Sequence, residues 1–516
     1  MKHIRNLVAT FLLMAGLPPA IAQQFPTVPA QSVIGRLGNP GQSGPSYAIP
    51  IATFFNARPL APGNILVGNS SGLQAAVPLT GDCTMSSLGV IICTKTNGTL
   101  FGTIASQNAN AVAITGGTIT GMPLPTGSSD VATKGYVDAS TQTTQCTMAK
   151  TVGFVGDSTT DNTTAFNNWF TSLASGRGCL EFGSGVYRFN STISYTMANA
   201  RQSIQIRGLG VDVSVLYWPT GNGLIISNVH NNNTVAIHDF TFATGAAGTS
   251  TGLNLTSTGN ALAFGQTNDL HNLLFRGDDY TGNSGNAHYW LVNLNIFNWN
   301  NVNVDNIVTT GVFTLTGGGA GAGTGLVYGC PSGIICAVLN VSRSMFQYHN
   351  VYVQLNDYWE GVTIGPLNQF DGQVGSVGLY VPAAGTHAGP LLNIFQNQFN
   401  TAGQQIDILS PINQIVMQGN TITTYGTSNA GAVLGTSSNA IVTGNMWNVS
   451  TGTSTRALSM NGVNGTVQGN IFLGHTTGVT LGTSSSANNV SQNVYTGVTT
   501  PISNLGSGNS TGVATQ

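Results

Sequence analysis

GFVGDSTTDNTTAFNNWFTSLASGRGCLEFGSGVYRF, residues 153–189, decides the fold, because a polar loop, one amphipathic helix and a glycine-flanked strand follow in quick succession. Phe166, Trp169, Phe170, Leu173 and Ala174 fall at i, i+3, i+4, i+7 and i+8, the stripe of a helix that buries one face. Asp161 or Thr160 can cap its N-terminus, and Ser175 with Gly176 stops it. The segment reads as a cap sealing one end of a solenoid.

Downstream, from about Ile204 to Val498, the chain carries a loose period. Asn397-Gln-Phe399, Asn420-Thr-Ile422, Asn445-Met-Trp447, Asn470-Ile-Phe472 and Asn493-Val-Tyr495 repeat Asn-x-apolar at steps of 23, 25, 25 and 23 residues. Each step is one coil of short strands without helical periodicity. Alternating apolar residues fill the interior between them, and stacked asparagines at one corner pair their amides along the axis. With coils about 4.8 Å apart, roughly twelve to thirteen coils make a rod of roughly 60 Å. Insertions at 245–265, 278–288 and 317–325 mark loops on which a binding site is built.

The 153–189 segment resembles the opening motif of the pectate lyase superfamily. The resemblance is carried by Gly153, Gly156, Asp157, Thr160, Asp161, Thr163, Ala165, Gly178, Gly185 and Tyr187. Ser158 departs from the usual second glycine, Asn162 from the second aspartate, and Gly183-Ser184 stand where Pro-x is usual. That superfamily comprises right-handed parallel β-helices of pectinases, related polysaccharide-active enzymes and phage tailspikes. The resemblance implies an all-β chain, a right-handed single-stranded parallel β-helix with an N-terminal capping helix. It specifies no reaction.

Composition narrows the partners. Asp, Glu, Lys and Arg make up 6% of residues, the net charge is -2, and glycine contributes 68 residues. Such a surface does not steer toward nucleic acid or anionic lipid, whereas neutral amides, hydroxyls and aromatics suit a polysaccharide or glycan ligand. Lys2, His3 and Arg5, the apolar run Leu7–Leu17 and Ala20-Ile21-Ala22 read as a secretory signal cleaved after Ala22, so the protein is expected to be extracellular or periplasmic. No segment has the length for membrane insertion. Six cysteines in an exported chain imply disulfides, about fifteen connectivities being open. Proximity favours Cys83 with Cys93 and Cys330 with Cys336, leaving Cys146 for Cys179.

The expected layout is a signal peptide at 1–22, a flexible leader at 23–62, a β-rich region at 63–145, the opening segment and capping helix at 146–203, the β-helix at 204–500 and a disordered tail at 501–516. Within the β-rich region, PTGSSDVATKGYVDAST resembles a segment of phage tail fibres, through Asp130, Ala132, Thr133, Lys134, Tyr136, Val137 and Asp138. Those stalks are typically trimeric, so the resemblance implies a homotrimer.

Carboxylates are scarce enough to search one by one: Asp212, Asp239, Asp269, Asp278, Asp279, Asp305, Asp357, Glu360, Asp371 and Asp407. Glycoside hydrolysis uses two carboxyl groups, about 5 Å apart for retention and about 6.5–9.5 Å for inversion. The first choice is Asp357-Tyr358-Trp359-Glu360 with Asp371: Glu360 as general acid, Asp357 or Asp371 activating water, Tyr358 and Trp359 stacking on sugar rings. The second is Asp278-Asp279 with Asp305, since Asp279 and Asp305 lie 26 residues apart, about one coil; His271 and Arg276 accompany them. Asp407, expected to face outward on a strand, is a further partner for substrate or for Glu360. The eight histidines read as polar surface or corner residues, and neither a metal nor a cofactor is expected.

Polygalacturonase elements are absent apart from Asp278-Asp279, and lysine is absent after Lys150, which disfavours a lyase. The leading expectation is an exported glycoside hydrolase acting on polysaccharide. A non-catalytic glycan-binding surface or tailspike-like adhesin is the alternative, and a polysaccharide lyase or uronan epimerase the third reading. Convergence of Glu360 with Asp357, Asp371 or Asp407 in one groove favours the enzyme; scatter over different faces favours binding.

Overall fold

The structure, a computed structural model, describes residues 30–35, 47–51, 60–100, 146–173, 177–230, 232–258, 267–281, 285–312, 321–331, 333–356, 358–372, 375–383, 391–401, 403–425, 430–451 and 455–512. The signal segment, the tail-fibre-like 125–141 segment and Asp357 lie outside the described residues. The chain divides into two compact units, Met1–Val131 and Ala132–Gln516.

The first unit holds antiparallel hairpins. Asn64–Gly68 pairs with Gln74–Pro78, and Cys83–Met85 with Ile91–Cys93. Asn69 makes the first hairpin's turn: its Oδ1 accepts the Ser71 and Leu73 N–H groups at 3.0 and 2.9 Å. Cys83 sits opposite Cys93 and is bonded to it.

In the second unit the capping helix spans Thr163–Ser172 and buries Phe166, Trp169 and Phe170. Phe170 stacks on Tyr195 at 4.4 Å, closing the core of the first coil. The N-cap position falls on Asn162, whose side chain makes no cap hydrogen bond, rather than on Asp161 or Thr160; Asp161, just before it, accepts the Thr163 N–H at 3.0 Å and the Thr163 hydroxyl at 2.5 Å through Oδ1. The motif departures have physical reasons. Asn162 is 1% exposed and needs both halves of its amide, Oδ1 accepting the Val155 N–H at 2.7 Å while Nδ2 donates to the Val155 and Thr160 carbonyls at 3.0 Å. A carboxylate has no donor for those carbonyls. Ser158 stands in the left-handed region, φ 67°, the conformation for which glycine is usual there.

Among the described residues the strands of this unit run parallel in two sheets, a long one of 24 strands, of which Thr147–Met148 and Asp157–Asp161 precede the helix, and a short one of 12. Most coils give the long sheet two strands and the short sheet one, as in Trp359–Ile364, Gln369–Asp371 and Val377–Val381, while in three coils one long strand, Thr234–Thr244, Asn268–Gly277 or Val302–Thr310, takes the place of the two. The Asn-x-apolar period is the coil register: Phe399 pairs with Ile422, Ile422 with Trp447, Trp447 with Phe472 and Phe472 with Tyr495. Inside, equivalent positions stack into aromatic columns, Phe189–Trp218–Phe242–Phe275 at 4.8, 5.9 and 4.9 Å and Phe346–Phe370–Phe399 at 5.3 and 4.4 Å. Cys146–Cys179 and Cys330–Cys336 are bonded as proximity and elimination suggested. The expected tail is shorter than its assigned span: Thr500–Asn504 joins the short sheet against Thr477–Leu481, and Ser510–Thr511 joins the long one, because their alternation continues the coil pattern past 500.

Two buried histidines make this core acid-sensitive. His349 is 0% exposed, with Nε2 2.9 Å from the Thr309 hydroxyl, and His475 is 1% exposed. Burial pushes His349 down to about 3 and His475 to about 4, from 6.5. Above pH 6.5 both are neutral in folded and unfolded chains and contribute nothing. Below it the unfolded chain takes up protons that the folded chain refuses, so stability falls as pH drops from 6.5 toward 4. The expected loss is ~3 kcal/mol for His475 alone. Urea midpoints between about pH 7 and 4 check this, and His475→Leu is expected to flatten the profile.

Candidate functional site

The long sheet's first strands present two outward positions per coil, and in the early coils these bring charged and imidazole side chains into register. One column runs Glu181, Arg207, His238, His271, Asp305, Ser342 in register. Beside it run Cys179, Gln205, Ala236, Asp269, Asn303 and Asn340. At the bend that follows, Asp239, Asn272, Asn306 and Arg343 adopt left-handed backbone, φ 65°, 51°, 51° and 50°, three of them types that tolerate it.

These side chains form a connected network. Nε of Arg207 donates to Glu181 at 2.6 Å. His238 and His271 stack with centroids 4.4 Å apart and planes 9° from parallel. Nδ1 of His238 lies 2.7 Å from Oδ2 of Asp239, Nε2 of His238 lies 3.0 Å from the Gln205 amide, and Nδ1 of His271 lies 2.7 Å from Oδ2 of Asp269. Nε2 of His271 has no hydrogen-bond partner among the described residues. Asp305 accepts from the Ser342 hydroxyl at 2.7 Å and from Nε of Arg343 at 2.9 Å, with Nη2 of Arg343 on its second oxygen. Burial pushes the Asp305 carboxyl up, but the Arg343 and Ser342 hydrogen bonds outweigh it and hold the group below the usual carboxylate range.

A cleft of about 390 Å³ opens here, lined by Asp269, Asn303, Asp305, Asn340, Ser342, Arg343, Pro366 and Leu367. Asp269 is in register with Asn303, so Asp305 sits on the neighbouring coil two residues further along. One coil spacing and two strand residues place their backbones about 8 Å apart. Near the starts of earlier strands in this sheet a second cleft, about 490 Å³, is lined by Arg177, Arg201, Gln202, Ser203, Asn232 and Thr234 and carries no acidic group.

The sequence-chosen clusters come apart. Trp359 is 2% exposed and packs in the core opposite Cys336, so it is not a sugar platform, and Tyr358 packs against the same core. Glu360 opens the Trp359–Ile364 strand opposite Ala337, while Asp371 ends the next strand across the bend, opposite Asn400. Burial pushes Asp371 up, against a hydrogen bond from Nδ2 of Asn400 at 3.3 Å. Asp407 does face outward as expected, but on the short sheet, paired with Tyr380 and Val433. Glu360, Asp371 and Asp407 thus lie on different strands and sheets and share no groove, while Asp357 is outside the described residues.

Asp279 and Asp305 also separate. The 26-residue spacing is not a coil here, since Asp305 pairs with His271, and Asp279 lies past the far end of that strand. Its carboxylate holds the Ala287 N–H at 2.7 Å and the His288 N–H at 3.2 Å. Asp278 accepts from Tyr217 at 2.8 Å and from Nδ1 of His288 at 2.5 Å, which raises His288. The residues that sequence reasoning passed over are Asp269, His238 and Asp239. Of the second choice, Asp305 and His271 remain together.

No protein-family model matches the sequence, and no curated protein matches it. Among solved structures, the chain is similar to the Azotobacter vinelandii mannuronan C-5 epimerase AlgE6 A-module, with 13% identity over 72% of this chain and 100% of that one, TM-score 0.41. It is also similar to the catalytic unit of a GH87 alpha-1,3-glucanase from Streptomyces thermodiastaticus, with 14% identity over 71% and 69%, TM-score 0.40. A third is PfbA, a surface adhesin of Streptococcus pneumoniae, with 11% identity over 69% and 93%, TM-score 0.33. With successive coils stacked in parallel register in a long and a short sheet and a helix closing the first coil, the chain is a right-handed parallel β-helix protein.

Proposed function

We propose that the protein acts on a polysaccharide laid along the charged face of the long sheet, and hydrolyses it at the Asp269–Asp305 cleft. The observation that carries this reading is one cleft lined by two carboxylates on neighbouring coils. Their backbones lie about 8 Å apart, from which two outward side chains can bring their carboxyl groups to about 6.5–9.5 Å, the separation that leaves room for a water between them. Asp305, ionised and fixed by Arg343 and Ser342, takes a proton from that water as it attacks the anomeric carbon. Asp269 and His271 hold a proton between them and pass it to the departing glycosidic oxygen. Asn303, Asn340 and Ser342 supply neutral hydrogen-bonding groups for sugar hydroxyls.

A screen of purified protein against bacterial and plant polysaccharides, reading reducing ends and ultraviolet absorbance in parallel, tests this. The expected result is reducing ends without new absorbance, lost in Asp269→Asn and Asp305→Asn. New absorbance would mean elimination instead. Silence across the panel with glycan binding retained would support the adhesin.

A further inference from the structure

The paired histidines beside the cleft are more than hydrogen-bonding spacers. One ring nitrogen of His238, one of His271 and one carboxylate oxygen of Asp239 lie within 4.8 Å of one another. We propose that these three side chains bind one divalent transition-metal ion of the zinc class.

One observation outside the three ligands supports it, the outer shell of His271. Nδ1 of His271 faces Asp269 at 2.7 Å, leaving Nε2 open, so this imidazole has the acceptor that sets orientation and tautomer in metal-ligating histidines. Nε2 of His238 accepts from the Gln205 amide N–H at 3.0 Å while Nδ1 faces Asp239, so coordination through Nδ1 requires the Gln205 amide to turn its oxygen to that ring. Asp239 is anchored as well, since Nδ2 of Asn272 donates to its Oδ1 and leaves Oδ2 toward the histidine. Within the cluster, Asp239 sits at φ 65°, a left-handed conformation, with its carboxylate at the ring of its own neighbour.

The donor set selects the ion. Two imidazoles and one carboxylate suit zinc, cobalt or nickel, whereas calcium and magnesium take oxygen ligands. In the parallel stack the two lone pairs run side by side, so binding opens the rings toward an ion about 2.0–2.1 Å from each nitrogen. Coordination at Nε2 leaves the His271 Nδ1–H on Asp269 and makes it a better proton donor. The inference stands apart from the hydrolytic reading, because binding is read directly. The other His/Asp group, Asp278, Asp279 and His288, already commits its oxygens to Tyr217, His288 and the Ala287 and His288 N–H groups.

Calorimetric titration of the metal-stripped full-length protein with Zn²⁺, with Ca²⁺ as the contrast and Co²⁺ absorption as a probe of the ligand field, tests the site. One equivalent of Zn²⁺ is expected to bind, with no calcium uptake at this site. Binding is expected to vanish in His238→Gln and in His271→Gln, and to weaken about 10–100-fold in the outer-shell variant Asp269→Asn. His288→Gln is expected to leave it unchanged. Circular dichroism confirms that each variant is folded, and the Asp269→Asn loss keeps the site testable should a histidine variant misfold. Failure of the parent to bind Zn²⁺, binding that survives both histidine variants, or binding lost only in His288→Gln would overturn the proposal.

Discussion

Asn445→Ala is expected to destabilise the C-terminal coils by about 3–5 kcal/mol, one of the largest single-residue effects in the rod. Asn445 is 1% exposed, and its Oδ1 accepts both the backbone N–H and the side-chain Nδ2 of Asn420, each at 2.9 Å. Its own Nδ2 donates to the Met417 carbonyl at 3.0 Å and to Oδ1 of Asn470 at 3.0 Å. The pattern repeats through Asn368, Asn397, Asn420, Asn445, Asn470 and Asn493, so removing one rung leaves buried donors and acceptors unpaired on both neighbouring coils. Asn445→Asp keeps the shape but loses the donors and adds a buried charge, so it is expected to be at least as damaging. Exposed Asn489→Ala is the control, expected to lie within about 0.5 kcal/mol of the parent. Because stacked coils lose stability locally, hydrogen exchange across residues 397–496 is the appropriate readout. Parent-like protection there would show that the ladder is not what holds the corner.

The second large effect concerns the cleft. Asp305→Asn and Asp269→Asn are each expected to lower the hydrolytic rate about 10²–10⁴-fold, the contribution of a positioned proton-transfer group. Asp305→Asn also releases Arg343, so Arg343→Gln separates the two effects: it is expected to raise the Asp305 carboxyl toward its ordinary range and move the acid limb of the pH–rate profile upward. Glu360→Gln and Asp407→Asn are expected to stay close to the parent rate, since neither group lines the cleft. The product is expected to show inverted anomeric configuration. Full activity in Asp305→Asn, or retention of configuration, would refute the assignment.

Much of the fold was legible because it rests on short-range pattern. The stripe Phe166, Trp169, Phe170 marks the cap, and the 23–25-residue steps from Asn397 onward mark coils with short, even corners. The site was harder to read because the coils that carry it are longer and uneven. His238 to His271 is 33 residues, His271 to Asp305 is 34 and Asp305 to Ser342 is 37, so a 26-residue step pairs the wrong acids. Inserted loops add residues between strands without changing which side chains share a face, and sequence spacing alone cannot separate the two. The Trp359 reading failed for a related reason. Tyr358 takes φ 63° at the corner, and the strand that begins after it turns Trp359 into the core and Glu360 outward.

Hydrolysis at the long sheet requires that substrate meet Asp269 and Asp305 in one cleft. A crystal structure of the Asp305→Asn variant with a bound oligosaccharide, taken from the substrate found in the screen, observes this directly. Sugar density is expected across the cleft of that variant, with the scissile oxygen beside Asp269 and a water site between Asp269 and the substituted side chain. Sugar bound instead on the short sheet around Asp407, with the cleft empty, would contradict the assignment.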